Sequence, residues 1–172
     1  MGVEPLDPLA GRTFARLARH VEVALGALEL SLPQYRLLGW VAQGEQASAR
    51  LAERMDVRPP SVTALVDGLC ARGLVERRAD PNDRRRLPLH LTDGGAAMLA
   101  DADRLVHAKL LAVLDELDER SQVRAASGTR CWQEALDRHR ARTKGHKAGP
   151  ADAERAEPAE PAQAAEAGEA RA

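Results

Sequence analysis

Apolar residues recur along most of this chain at helical spacing, and the breaks between them are marked by glycine, proline and small polar residues. From residue 9 to 29, Phe14, Leu17, Val21, Leu25 and Leu28 share one face, with Arg12, Arg16, Arg19 and Glu22 among the other positions, which predicts an amphipathic helix. A second helix is predicted from Leu32-Pro33-Gln34, with Ser31 placed as its N-cap and Pro33 tolerated in the first turn. It carries Tyr35, Leu38, Trp40 and Val41 and ends near Gln43-Gly44. Ser48 to Met55 reads as a short third helix with Leu51 and Met55 facing inward and Ser48, Arg50 and Glu53 outward. After a turn at Asp56-Val57, Val62, Leu65, Val66 and Leu69 fall at i, i+3, i+4 and i+7, predicting a fourth helix from Pro59 to about Arg72 that leaves Ser61, Thr63 and Asp67 polar. Gly73 stops it, because glycine takes a left-handed conformation without steric penalty.

The period then changes. Leu74-Val75-Glu76 reads as a short strand, Asp80-Pro81-Asn82-Asp83 as a turn, and Leu87 to Leu91 as a returning strand. Pro88 cannot donate a ladder hydrogen bond, so the returning strand is expected to be short. Two helices around a tight turn followed by a hairpin give the outline of a winged helix-turn-helix. Thr92 is placed to cap a further helix, with Asp93 in its first turn. Leu99, Ala102, Val106, Leu110, Val113 and Leu117 mark its apolar stripe. Asp118 to Arg142 is helical but more weakly patterned, with an interruption expected at Ser127-Gly128-Thr129. From residue 143 to 172 alanine, glutamate, proline and glycine dominate without periodicity, which predicts a disordered tail.

The fold class is therefore mainly α with a small β-hairpin: a winged helix-turn-helix core over about 31–92, flanked by helices over about 9–29 and 93–142. Composition agrees. The hydrophobic fraction is 44%, yet Phe14, Tyr35, Trp40 and Trp132 are the only aromatic residues, and a Leu/Val/Ala core suits packed helices. The flanking helices carry more apolar surface than so small a core can cover, so a homodimer of terminal helices is expected.

Net charge is −1, but its distribution is uneven. Residues 148–172 hold six acids against two bases, a balance of −4, which leaves +3 for the other 147 residues. Between Arg72 and Arg86 six arginines face three acids. Arg84, Arg85 and Arg86 stand in a row at the hairpin tip, where unpaired arginines belong either in a solvated loop or against a polyanion. Cys70 and Cys131 are too far apart in sequence for a metal knuckle, and the five histidines (His20, His90, His107, His139, His146) show no ligand spacing, so no metal or cofactor is expected. Buried structural cysteine is the preferred reading of Cys70. No apolar run approaches the ~18 residues of a membrane span and Met1 to Asp7 is no signal sequence, so a cytoplasmic protein without a membrane partner is expected. No glycine-rich phosphate loop, GxSxG or HExxH occurs, and no enzyme is expected.

Three ordered segments give the chain a family likeness: LSLPQYRLLGWVA (30–42), LAERMDVRPPSVTALVDGLCARGLVERR (51–78) and DPNDRRRLPLHLTDGG (80–95). Over roughly residues 9–140 of a 9–142 domain the chain resembles the MarR (multiple antibiotic resistance) transcriptional regulators. That resemblance implies a sequence-specific regulator, commonly a repressor, that binds double-stranded DNA as a homodimer on a pseudo-palindromic operator. It also implies an ion pair within the wing, here Asp83 with Arg85, and insertion of that arginine into the minor groove.

A recognition helix fits the major groove with its N-terminal residues nearest the base edges, which nominates Arg58, Ser61, Thr63 and Asp67. For Ser61 and Thr63, phosphate contact and simple capping are both open. Arg85 suits a narrow, negative minor groove, and Arg84 and Arg86 suit phosphates. The resemblance further implies a small anionic or phenolic effector held between the terminal helices and the winged domain, where His20, Tyr35, Arg36 and Trp40 fall. An arginine beside an aromatic ring can hold an aromatic carboxylate; Trp40 as core and Arg36 as plain surface is the other reading. The competing function is a non-catalytic winged-helix module for protein contacts, which predicts no sequence-specific DNA affinity.

Overall fold

The computed structural model describes residues 6–44, 46–79 and 87–147. Its elements run α1 (Ala10–Gly26), α2 (Leu32–Ala42), α3 (Ser48–Met55), α4 (Pro59–Ala71), β1 (Val75–Arg77), β2 (Leu89–Leu91), α5 (Asp93–Leu114) and α6 (Glu119–Lys147). They form two units that part between Asp118 and Glu119.

Each start and stop in the first unit has a local cause. Ser31 and Gln34 form a reciprocal capping box: the Gln34 N–H donates to Ser31 Oγ at 3.3 Å, and the Ser31 N–H to Gln34 Oε1 at 2.9 Å. Asp56 closes α3 in a left-handed conformation (φ 53°), one of the few residue types that tolerate it. Gly73 (φ +67°) ends α4 as its chemistry requires. Thr92 caps α5 through the Gly95 N–H at 2.9 Å.

The core lies where α2, α3 and α4 meet the hairpin. Leu37, Leu38, Leu51, Val62, Val66, Leu69, Val75 and Leu89 are fully buried there, each worth about 1.5–3 kcal/mol of apolar burial. Leu25 at the end of α1, and Ala102 and Val106 on α5, join it from the flanks. Much of α1 does not. Phe14 and Val23 remain 44% and 50% exposed, and Leu111 on α5 is also exposed.

The hairpin is antiparallel, pairing Val75 with Leu91, Glu76 with His90 and Arg77 with Leu89. β2 starts directly after Pro88, shorter than the run expected from Leu87. Pro88 still takes part as an acceptor, from the Arg78 N–H at 3.0 Å. The loop before α3 backs the same strand, since the Leu89 N–H donates to the Gln46 carbonyl at 3.0 Å.

Two expectations need correction at the C-terminal side. The apolar stripe of α5 stops at Leu114, so Leu117 falls in the connection. Asp115, Glu116 and Asp118 oppose the negative end of α5, and acids favour the start of a helix, as Glu119 does in α6. The second unit, α6, runs through Ser127-Gly128-Thr129 without a break. A mid-helix glycine costs only about 1 kcal/mol and keeps its N–H, and Thr129 Oγ1 bonds back to the Ala126 carbonyl at 2.7 Å. The helix reaches Lys147, five residues into the stretch expected to be structureless; residues 148–172 lie outside the described part.

Gly95 is buried, and a Cβ there would overlap the Leu74 backbone carbonyl, whereas a Cβ on Gly94 would meet nothing closer than 3.6 Å. Gly95→Ala should therefore destabilise by about 3 kcal/mol, the upper end of overpacking. Gly94→Ala should stay within about 0.5 kcal/mol of the parent. Urea unfolding followed by far-ultraviolet circular dichroism reads both.

Candidate nucleic-acid interface

α4 presents one face to the core and one outward. Val62, Val66 and Leu69 point inward; Arg58, Pro59, Pro60, Ser61, Thr63, Ala64 and Asp67 are exposed. Arg58 is the N-cap residue of α4, in extended conformation (φ −69°, ψ 145°) and exposed. Pro59 and Pro60 follow at the first two positions. They remove two of the amides that a helix start would otherwise offer to a phosphate, which leaves Arg58 to supply the positive charge there.

The remaining nominated residues on α4 differ in their freedom. Ser61 is exposed, with its backbone N–H on the Arg58 carbonyl at 3.0 Å. Thr63 Oγ1 donates to the Pro59 carbonyl at 3.2 Å, so its proton is committed to its own helix and only its lone pairs face outward. Asp67 is held by Arg77: the guanidinium Nη2 donates to Oδ1 at 2.7 Å. This bond is the main reason the Arg77 pKa is raised, with partial burial opposing it. Arg77 Nη1 also lies 3.9 Å from Cys70 Sγ, one turn along from Asp67. The recognition helix is thus tied to the first wing strand through a charge pair that neither residue would form alone.

Three functional side chains were missed in sequence. Arg77 carried a usable signal, an arginine on the strand that follows a helix with an exposed acid. Arg72, whose guanidinium bonds the Leu28 and Glu29 carbonyls, carried none, because its partners lie 43 and 44 residues away. Asp103 likewise became visible only when α5 packed on α2. At the base of the wing, Arg78 Nε donates to Glu76 Oε1 at 2.6 Å. Asp83, Arg84, Arg85 and Arg86 lie outside the described residues.

A groove of about 430 Å³ opens between α2 and α5, lined by Tyr35, Arg36, Gly39, Trp40, Ala42, Gln43, Leu99 and Asp103. Three of the four residues nominated for an effector share it: Tyr35, Arg36 and Trp40. His20 sits half-buried on α1 and is not among the lining residues. The Arg36 guanidinium stands over the Trp40 ring, 5.0 Å from its centroid, leaving a flat cation on an aromatic floor. Tyr35 Oη donates to Asp103 Oδ1 at 2.6 Å across the groove. Burial, and then the Asp103 carboxylate, push the phenol pKa above its ordinary range, so it stays a neutral donor. The groove therefore carries one cation, one carboxylate and two aromatic faces. Among the described residues no cluster of histidine, cysteine or acidic side chains is placed to hold a metal ion, and no helix is long and apolar enough to cross a membrane.

The MarR family profile matches residues 28–86. An uncharacterised HTH-type transcriptional regulator of Bacillus subtilis, YhbI, is 31% identical over 121 residues, covering 70% of this chain and 78% of its own length. The HTH-type transcriptional repressor Rv2887 of Mycobacterium tuberculosis is 34% identical over 114 residues, 66% of this chain and 82% of its own. The crystal structure of that MarR family protein with salicylic acid superposes with a TM-score of 0.60 at 31% identity, over 79% of this chain and 96% of the other. Wild-type apo MarR of Escherichia coli shares the fold, with a TM-score of 0.64 at 23% identity over 78% and 99% of the two chains.

Tyr35 is the chain's single tyrosine, so its ionisation can be followed alone. Its folded pKa is raised above the unfolded value, so the stabilisation is fully present below pH ~10 and is lost as pH climbs beyond it. Ultraviolet titration of the native protein should show little phenolate near pH 10. Asp103→Asn should move the midpoint down, but not fully to that of a free tyrosine, because burial is the larger cause.

Proposed function

The chain belongs to the MarR family and is a DNA-binding transcriptional regulator; on that premise we propose that it is a homodimeric repressor that releases its operator when a small anionic or phenolic molecule occupies the groove between α2 and α5. The observation that carries the DNA-reading part is the outward face of α4, with Arg58, Ser61 and Thr63 at its free N-terminal end and Asp67 braced by the wing strand. In this reading residues 31–92 contact DNA, and Arg58, Ser61 and Thr63 meet the major groove. Asp67 acts through Arg77 as well as facing the bases. Arg85, paired with Asp83, enters the minor groove while Arg84 and Arg86 neutralise phosphates. Family membership favours this reading over a winged helix used only for protein contacts.

Homodimerisation is supported by apolar side chains left exposed on the flanking helices: Phe14 and Val23 on α1, Leu111 on α5, and Val123 and Leu136 on α6. Monomeric proteins seldom leave apolar patches of this kind uncovered. Residues 9–29 and 93–142 are accordingly assigned to the dimer, and two-fold symmetry would set two half-sites about one helical turn apart.

The effector reading rests on the groove's chemistry. A planar guanidinium on an indole floor can accept an aromatic carboxylate by a bidentate hydrogen bond and ring contact at once. The complex of Rv2887 with salicylic acid supports an aromatic acid as the first ligand to try.

Fluorescence-anisotropy titration against duplexes from the DNA upstream of the gene tests the first part. One segment should bind far more tightly than its scrambled counterpart, and Arg85→Ala should weaken it about tenfold or more, as loss of a groove arginine costs about 1–3 kcal/mol. Equal weak binding to every segment and to duplexes selected from a random pool would refute it. For the effector, salicylate should raise the apparent Kd for the bound segment, and Arg36→Ala should remove that response while sparing DNA affinity without ligand. An unchanged response in Arg36→Ala would refute the groove assignment.

A further inference from the structure

We infer that Arg72 is a positioning residue for DNA reading: it fastens the C-terminal end of the recognition helix to the corner between α1 and α2, so that α4 follows the dimerisation helix. The inference rests on the homodimeric DNA-binding reading above. Arg72 is the residue on which α4 ends, its own N–H bonded to the Gly68 carbonyl. Its guanidinium then reaches across to two consecutive carbonyls. Nη1 donates to Glu29 O at 2.8 Å and Nη2 to Leu28 O at 3.1 Å.

Those carbonyls belong to the turn after α1, one and two residues past its C-cap Ala27. They lie outside any helix ladder and just beyond the negative end of the α1 dipole, so a cation with two parallel donors fits them. The corner has little other freedom. The Leu28 and Leu30 N–H groups both bond Leu25 O, Glu29 N–H bonds Gly26 O, and Glu29 takes a left-handed φ of 52° to turn the chain into α2. α1 packs chiefly on α5, whereas α4 packs on α3, β1 and α2. Arg72 adds a direct polar tie between these two groups of elements, 43 and 44 residues apart in sequence. In a dimer built on α1, the spacing and tilt of the two recognition helices would be read through this fork. Arg72 also belongs to the local basic excess, so phosphate contact is the rival role, and the two are separable.

The test uses the full-length protein and a duplex it selects from a random pool, with a scrambled duplex as control. Wild type, Arg72→Lys and Arg72→Gln are titrated between 50 and 200 mM salt, on the order of the range over which phosphate contacts show their slope. Both variants should lose about tenfold in affinity for the selected duplex, within the usual span of coupling between sites. Affinity for the scrambled duplex and the salt slope should stay unchanged. Lysine should not rescue, because a single ammonium lacks the planar fork that spans two carbonyls. Hydrogen exchange should quicken at Glu29 and Leu30 in both variants, while sedimentation still gives dimers.

Rescue by lysine together with a slope made shallower by about 0.9 per lost contact in Arg72→Gln would show a phosphate contact and overturn the proposal. Unchanged discrimination in both variants would overturn it too. General destabilisation without a positioning role would lower binding to both duplexes in parallel, which again counts against it. Wild type that selects no duplex, or sediments as a monomer, would instead remove the underlying reading, an outcome visible before any variant is made.

Discussion

The winged helix is held together by one junction, where the end of α4 and the start of α5 touch. Thr92 is its centre. Its hydroxyl donates to the Gly73 carbonyl at 2.6 Å and accepts from the Gly95 N–H, while its own N–H donates to the Leu74 carbonyl at 3.2 Å. Recognition helix, both wing strands and the long helix α5 are thereby joined through four residues, Gly73, Leu74, Thr92 and Gly95. The approach is so close that only glycine fits at position 95. Such a junction fixes angles more than it adds stability, since each hydrogen bond is worth only about 0.5–1.5 kcal/mol net.

The charged side chains around α4 follow the same logic. Asp67–Arg77 is a largely exposed ion pair, of a kind that contributes about 0–1 kcal/mol to stability, and Arg72 on the α1–α2 corner adds two hydrogen bonds to backbone carbonyls. Their significance is geometric. Asp67 and Arg72 both lie at the C-terminal end of the helix, toward the wing and the α1–α2 corner respectively. The N-terminal half, with Arg58 and Ser61, stays exposed. The helix is thus braced at its rear and open at its front.

The groove between α2 and α5 sets two neighbouring side chains on different partners. Tyr35 and Arg36 are neighbours in sequence, yet Tyr35 is drawn toward Asp103 on α5 and Arg36 stacks on Trp40 one turn along. An exposed cation–π contact is worth about 0.5–1 kcal/mol, little enough for a carboxylate to compete for the guanidinium. α2 also packs on α4 and β2, so the groove and the winged helix share one element.

Local chemistry alone specified the helix order, the Ser31 and Thr92 caps, the Gly73 stop, the short strand after Pro88 and the inward stripe of α4, because each depends on residues within one or two turns. The family resemblance, rather than local chemistry, grouped His20, Tyr35, Arg36 and Trp40, and the groove takes in the last three but not His20. Local chemistry misjudged α6, where Gly128 weakens a helix without removing a hydrogen bond. Pairings across the fold were beyond its reach: Asp67 with Arg77, Arg72 with the Leu28 and Glu29 carbonyls, Tyr35 with Asp103, and the fit of Gly95 against Leu74. Periodicity fixes which face of a helix is buried, but not where the opposing element places its partner atom. That position is set by packing summed over the whole core, and only the tertiary structure decides it.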